Sequence, residues 1–176
     1  MRQETAQLIV TSAGLGRPRD TRFSLRAALP GAQIRKTGLR GIFSLAAEGD
    51  AFELAKLIWR ECSQRVGHTT AVLAEVESRF EPIKEAAVRI GREQIGAAES
   101  FCFRIHKRGA HFLEQDTLTI EQEIGGAIWT VLEEKHGAKP RVRLKDPDAI
   151  IVAEVLGPTT AVGIFRKLWR EQLAAA

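Results

Sequence analysis

Two spacings of apolar residues take turns along the chain, one of two residues and one of three to four, and their order predicts its elements. Residues 7–13, Gln-Leu-Ile-Val-Thr-Ser-Ala, read as a buried strand, and Gly14 to Asp20 reads as a basic loop containing Gly and Pro. A short helix is expected through Phe23, Leu25 and Leu29, stopped at Pro30-Gly31. Segments 32–37 and 42–47 form the arms of a hairpin around Gly38-Leu39-Arg40-Gly41. Asp50 followed by Glu53 signals a helix start, and Phe52, Ala55, Trp59 and Cys62 keep one apolar face until Gly67, the expected end. A strand over 69–77 completes the order β-α-β-β-α-β. That order is the ferredoxin-like one, with two helices on one face of a four-stranded antiparallel sheet, expected here over residues 1–78.

Residues 79–176 are expected to form a second domain, which makes the fold class α+β. Pro82, just after Glu81, suits a first helical turn, and Ile83, Ala86, Ala87, Ile90 and Ile95 mark the buried side. In the octet Phe101-Cys102-Phe103-Arg104-Ile105-His106-Lys107-Arg108, a strand puts Phe101, Phe103 and Ile105 on one side and Arg104 and His106 on the other. After a loop over 109–118, Thr119 and Gln122 suggest a capping box. Ile120, Ile124, Ala127, Ile128 and Val131 then make the stripe of a long helix ending at Gly137. Gly125-Gly126 within it costs about 1 kcal/mol per glycine relative to alanine, and close backbone packing is the expected compensation. In Lys139-Pro140-Arg141-Val142-Arg143-Leu144-Lys145, a two-residue period sets Arg141, Arg143 and Lys145 against Val142 and Leu144. Strands over 148–156 and 161–166 flank Gly157-Pro158, and a short helix from Leu168 is expected to fray into Ala174–Ala176.

Composition narrows the class. At 176 residues, 44% hydrophobic and 27% charged, the chain can bury a core in one large or two small domains, and a disordered chain is excluded. No apolar run approaches the roughly 20 residues that span a bilayer, and no signal-peptide pattern opens the sequence. The expected setting is therefore cytoplasmic, with no membrane partner. Cys62 and Cys102 are too few for a disulfide framework and read as buried thiols. The net charge of +4 says little, but its distribution says more. Between Arg17 and Arg40, Arg17, Arg19, Arg22, Arg26, Arg35, Lys36 and Arg40 face a single acid, Asp20. Further acid-free clusters occupy 104–111, 139–145 and 166–170, while acids gather on helices. Such a footprint suits a polyanion.

The candidate chemistry is thin by comparison. Gly14-Leu15-Gly16 follows a strand but lacks a third glycine and a Gly-Lys-Ser/Thr, and Pro18 interrupts the helix start, so it reads as a basic turn. His106 and His111 could form an acid–base pair for metal-free RNA cleavage, with Lys107 or Arg108 stabilising the phosphate, or could simply contact RNA. His68, His106, His111 and His136 are scattered without zinc-site spacing. Glu121 and Glu123 are expected in a first helical turn, where they complement the dipole, and Glu133 and Glu134 on a solvated face. Trp59 and Trp129 fit core or interface positions, and Trp169 fits tail packing, with base stacking as the rival. No cofactor is implied.

Four segments carry a family resemblance: Phe103-Arg104-Ile105-His106-Lys107-Arg108; Ile120-Glu121-Gln122-Glu123-Ile124-Gly125-Gly126-Ala127-Ile128; Val142-Arg143-Leu144-Lys145-Asp146-Pro147-Asp148; and Ile151-Val152-Ala153-Glu154-Val155. In this order and spacing they resemble a THUMP domain, over about residues 81–168. The family commonly has Asn before the Pro-Asp pair; Asp146 stands there and is expected to weaken phosphate contacts locally. The resemblance implies a THUMP α/β domain over 79–176 that binds tRNA, with an N-terminal ferredoxin-like domain as its usual companion. Thiouridine synthetases and several tRNA methyltransferases share that arrangement and add a catalytic domain. The chain is most similar to stand-alone THUMP proteins that assist tRNA cytidine acetyltransferase. The implied role is therefore a non-catalytic tRNA-binding module that recognises the acceptor region and works with a separate catalytic subunit. RNA contact is carried over to Arg104, Lys107, Arg108, Lys139, Arg141, Arg143 and Lys145, and to Arg166 and Lys167; Arg17, Arg19 and Arg22 are added from charge pattern alone. A thiolation or methylation system, a small RNase using His106 and His111, and a mainly protein-recruiting chain are the alternatives.

Overall fold

The structure, a computed structural model, describes residues 5–14 and 17–171. Leu15 and Gly16 of the proposed basic turn, and the Ala174–Ala176 tail, lie outside the described residues. The chain divides into two compact units, one running up to Val72 and taking in the segment from Leu168, the other Leu73–Lys167.

The first unit contains β1 (Thr5–Ser12), α1 (Pro18–Ala28), β2 (Gln33–Lys36), β3 (Ile42–Glu48), α2 (Ala51–Cys62) and the start of β4 (Val66–Glu77), the order read from the sequence. Its strands lie side by side as β2-β3-β1-β4, all antiparallel. The pairing sets Leu8 opposite both Leu45 and Ala71, and all three are fully buried. Helix α2 is capped by Asp50, whose carboxylate accepts the amides of Phe52 and Glu53 at 2.9 and 3.0 Å. It ends at Cys62, short of Gly67. Gly67 instead belongs to β4, at the point where the β1–β4 register slips between Thr11 and Ser12. A Cβ there would come within 2.9 Å of the Ser12 carbonyl oxygen, so glycine allows two backbones to meet rather than ending a helix. Trp169 is buried on Phe52, with ring centroids 5.6 Å apart, which makes it a packing residue.

The second unit contains α3 (Phe80–Gln94), β5 (Ser100–Arg108), α4 (Thr117–His136), β6 (Arg141–Val142), β7 (Ala149–Leu156) and β8 (Thr159–Arg166); α5 (Lys167–Glu171) begins where it ends. Its strands lie in the order β8-β7-β5-β6. The β5–β7 pair is parallel, and parallel neighbours require a long crossover, which α4 supplies. β7 and β8 form an antiparallel hairpin whose turn, Gly157 at φ 78° followed by Pro158, lets the strands keep their twist. Both faces of β7 are covered, so Ala149 and Ile151 to Val155 are all buried, including Glu154.

Helix α4 begins at Thr117, because Asp116 and not Thr119 is its cap: the Asp116 carboxylate accepts the Thr119 amide at 2.9 Å. Glu121 is thus past the first turn. Gly137 closes the helix in the left-handed conformation at φ 65°. The buried stripe is Ile120, Ile124, Ile128 and Leu132, four residues apart. Close packing between helices occurs at Gly91 of α3, where a Cβ would lie 2.7 Å from the Ile128 side chain. At Gly125 and Gly126 nothing lies within 4 Å, so the expected close packing is absent there.

Candidate nucleic-acid interface

The basic tip of β5 is held by carboxylates. Glu154, fully buried in the middle of β7, stands opposite His106 in the parallel register. It receives the Arg108 guanidinium in an ion pair and lies 3.1 Å from His106 Nδ1. Burial pushes its pKa up, but the His106 hydrogen bond and the charges of His106 and Arg108 outweigh this and leave it below the ordinary carboxylate range. Arg104 donates to Glu121 at 2.8 Å and to the Leu144 carbonyl at 2.9 Å. The other Glu121 oxygen accepts the Ile105 amide at 3.1 Å. That amide needs a partner because β6 covers only Ser100 and Phe101 of β5 and leaves the rest of that edge open. Lys107 donates to the Gln115 carbonyl at 2.9 Å.

The same holds at the end of β8. Arg166 pairs with Glu99 and donates to the Gln94 carbonyl at 2.6 Å, and Lys167 pairs with Asp146 at 2.6 Å. Asp146 lies at φ 53°, a conformation that Asn and Asp tolerate better than other side chains, which explains either residue before the Pro-Asp pair. Its carboxylate pairs with Lys167. Asp148 accepts the amide and hydroxyl of Ser100, both at 2.7 Å, and these bonds hold its carboxyl below the usual range while joining the starts of β5 and β7.

The remaining cations are open. Lys139, Arg141, Arg143 and Lys145 are exposed and, among the described residues, their side chains make no hydrogen bond or ion pair. Only Arg141-Val142 is strand, and the rest of 139–145 is loop anchored by the Arg143 amide on the Phe101 carbonyl at 3.0 Å. Val142 and Leu144 are exposed too, at 49% and 68%, because no element covers them. In the first unit Arg17 and Arg19 lie exposed at the start of α1; Arg22 is half-buried, and its Nε finds no hydrogen-bond partner among the described residues.

Lys139, Arg141, Arg143 and Lys145 thus stand exposed along one segment, with the Arg141 charge acting on Asp148, whereas Arg104, Arg108, Arg166 and Lys167 are tied to acids in close ion pairs. Glu121 and Glu154 are the residues that sequence reasoning missed as organisers. Glu154 did leave a signal, a lone acid inside the apolar run 150–156, which calls for a buried partner. His111 accepts the Leu113 amide at Nδ1, 3.2 Å away, and so shapes its own loop. Both cysteines are buried, and burial raises both thiol pKa values. Among the described residues no group of three His, Cys, Asp or Glu could hold a metal ion, and no helix is long and apolar enough to cross a membrane.

A family model described as THUMP domain matches residues 77–164. No curated protein matches the chain. Among solved structures, PH1313 from Pyrococcus horikoshii is similar, with TM-score 0.64 and 16% identity over 92% of this chain and 54% of that one. A 4-thiouridine synthetase–RNA complex with bound ATP gives TM-score 0.62 and 18% identity over 93% of this chain and 42% of that one. TrmN from Thermus thermophilus gives 0.57 and 18%, over 92% and 45%. At such identities the likeness is one of fold, and the chain spans about half or less of these proteins' lengths. With half of its residues matched by the family model, this chain belongs to the THUMP domain family.

Proposed function

We propose that the protein is a non-catalytic tRNA-binding module that recognises the acceptor region and assists a tRNA-modifying enzyme, with cytidine acetylation as the reaction served. The observation that carries this reading is the run Lys139, Arg141, Arg143 and Lys145: four exposed cations, none held in a hydrogen bond or close ion pair among the described residues, inside the region matched as THUMP. Free cations gain affinity by displacing counterions from phosphates, which cations already paired with carboxylates do poorly. A-form RNA hides its major groove from side chains, so shape and backbone contacts dominate, and an acceptor stem with its single-stranded end suits them. Arg17 and Arg19 of the first unit are the further contacts. Arg104, Arg108, Arg166 and Lys167 serve by fixing the strands that present this face. The choice of acetylation rests on the resemblance to stand-alone THUMP proteins; the fold likeness to a 4-thiouridine synthetase bound to RNA favours thiolation as the second reading.

The test is tRNA binding measured from low to physiological salt. Replacing Arg141, Arg143 and Lys145 together by alanine is expected to weaken binding and to lower the salt slope by roughly 0.7–0.9 per lost phosphate contact. Unchanged affinity and slope would remove this segment from the interface. Nucleosides of tRNA from a deletion strain then separate the reactions: loss of acetylated cytidine is expected, and loss of a thiolated or methylated nucleoside would favour the alternative. Cleavage of labelled tRNA that His111→Ala abolishes would establish the nuclease reading instead.

A further inference from the structure

We infer that the open groove between α4 and the β5–β6 edge is a docking site for a partner-protein segment whose apolar side chains are flanked by carboxylates. The groove encloses about 320 Å³ within the second unit. Leu118, Trp129, Val142 and Leu144 line it, together with Gly125-Gly126 of α4. Leu118, Val142 and Leu144 are 63%, 49% and 68% exposed, so half of the six large apolar side chains exposed among the described residues converge here. Such convergence marks an interaction surface, whereas single exposed leucines do not. The two glycines weaken α4 and, with nothing within 4 Å of either, relieve no internal clash. Their effect is to leave the helix backbone bare toward the groove, where a ligand can approach closely.

The chemistry of the walls selects the occupant. Arg104 and Glu121, the charged groups of the lining, are bonded to each other, to the Ile105 amide and to the Leu144 carbonyl. Gln122 is the one polar side chain of the lining outside that network, so a nucleobase would meet a single open amide there. Phe101 and Phe103 are 1% and 3% exposed, so their faces are closed to stacking, and the exposed apolar side chains of the lining, Leu118, Val142 and Leu144, are aliphatic. Aliphatic walls suit the apolar face of a helix or an extended segment. Along the β6 bank, Arg141, Arg143 and Lys145 alternate with the apolar positions and stay out of the lining. Their charge, which the tRNA reading directs at phosphates, favours carboxylates beside the apolar anchors in the same way, so the docked segment and tRNA would share this bank.

The full chain labelled with 5-fluorotryptophan provides a reporter, because its three tryptophans give three fluorine signals and Trp129 alone of them lines the groove. The probes are an amphipathic peptide with leucines at i, i+3, i+4 and i+7 and glutamates between, the same peptide with lysines for glutamates, and a single-stranded cytidine–adenosine oligonucleotide. The acidic peptide is expected to shift the Trp129 signal saturably. The lysine peptide, Leu144→Asp and Gly126→Leu are each expected to cost it about tenfold or more in affinity. Gly126 faces open space and Leu144 is exposed, so neither change threatens folding, and tRNA affinity of Gly126→Leu is expected to match the parent. The inference is overturned if no peptide shifts Trp129 or if both peptides bind equally. It is also overturned if the oligonucleotide saturates the Trp129 signal and Gly126→Leu abolishes that, which would make the groove a nucleotide subsite. RNA binding is read in a separate assay, so its loss or survival leaves these outcomes distinct.

Discussion

Glu154 and Asp146 show how single carboxylates set what the neighbouring cations can do. Glu154 has no exposure, and its side-chain partners are Arg108 and His106, so removing Arg108 takes away the guanidinium that compensates a buried charge. Arg108→Ala is expected to cost about 3–5 kcal/mol in urea unfolding, whereas Arg143→Ala, on an exposed loop, should stay within about 0.5 kcal/mol. Equal effects would mean that Arg108 is a surface cation after all. Asp146 separates charge from conformation. Asp146→Asn keeps a residue at ease at φ 53° and gives up a half-exposed ion pair with Lys167, for a change of about 1 kcal/mol. Asp146→Val must hold a branched side chain in the left-handed region and is expected to cost about 1–2 kcal/mol more. The alternation of Arg141, Arg143 and Lys145 was readable from the chain. The pairing of Arg104, Arg108, Arg166 and Lys167 was not, since Glu121, Glu154, Glu99 and Asp146 stand 17, 46, 67 and 21 residues away.

At the scale of elements, the glycines of α3 and α4 have opposite meanings that their sequence positions conceal. Gly91 lets two helices approach, and a methyl group there would meet Ile128 at 2.7 Å, so Gly91→Ala is expected to destabilise by about 1–3 kcal/mol through overpacking. Gly125→Ala and Gly126→Ala meet nothing and should each stabilise α4, by up to about 1 kcal/mol. Thermal unfolding of the three variants decides it, and destabilisation at Gly126 would show that the helix is packed where it now stands open. Helix and strand identities were legible because apolar spacing differs between the two, and Asp50 and Gly137 announced their boundaries. Gly67 and Thr119 misled because each also fits a terminal signature, while the true roles depend on Ser12 and Asp116. The short length of β6 was hidden for a related reason: period-two alternation continues through Leu144, but the residue pairing with β5 ends at Val142.

Across the whole molecule the element order was recoverable from sequence, because local periodicity and turn chemistry set it, whereas the distribution of free and paired charge emerges only when distant strands meet. That distribution also gives the fold a pH dependence with a definite sign. Glu154, Asp148 and Asp116 all lie in the second unit and all have pKa values held below the ordinary carboxylate range. For Asp148 the Ser100 amide is the leading cause, for Asp116 the Thr119 hydroxyl, and for Glu154 His106 and Arg108 prevail over burial. As pH falls, the unfolded chain takes up protons first, at about pH 4, and stability present near neutrality drains away until the folded-state pKa values are passed. Amide exchange compared between pH 7 and the range below about pH 4 should therefore show protection falling in β5 and β7, which Asp148 and Glu154 join. Glu154→Gln should flatten the part of this acid dependence that the buried carboxylate contributes, while lowering stability at neutral pH because Arg108 loses its counter-charge. An acid profile in the variant as steep as the parent's would mean that the Glu154 pairing does not hold the two strands together.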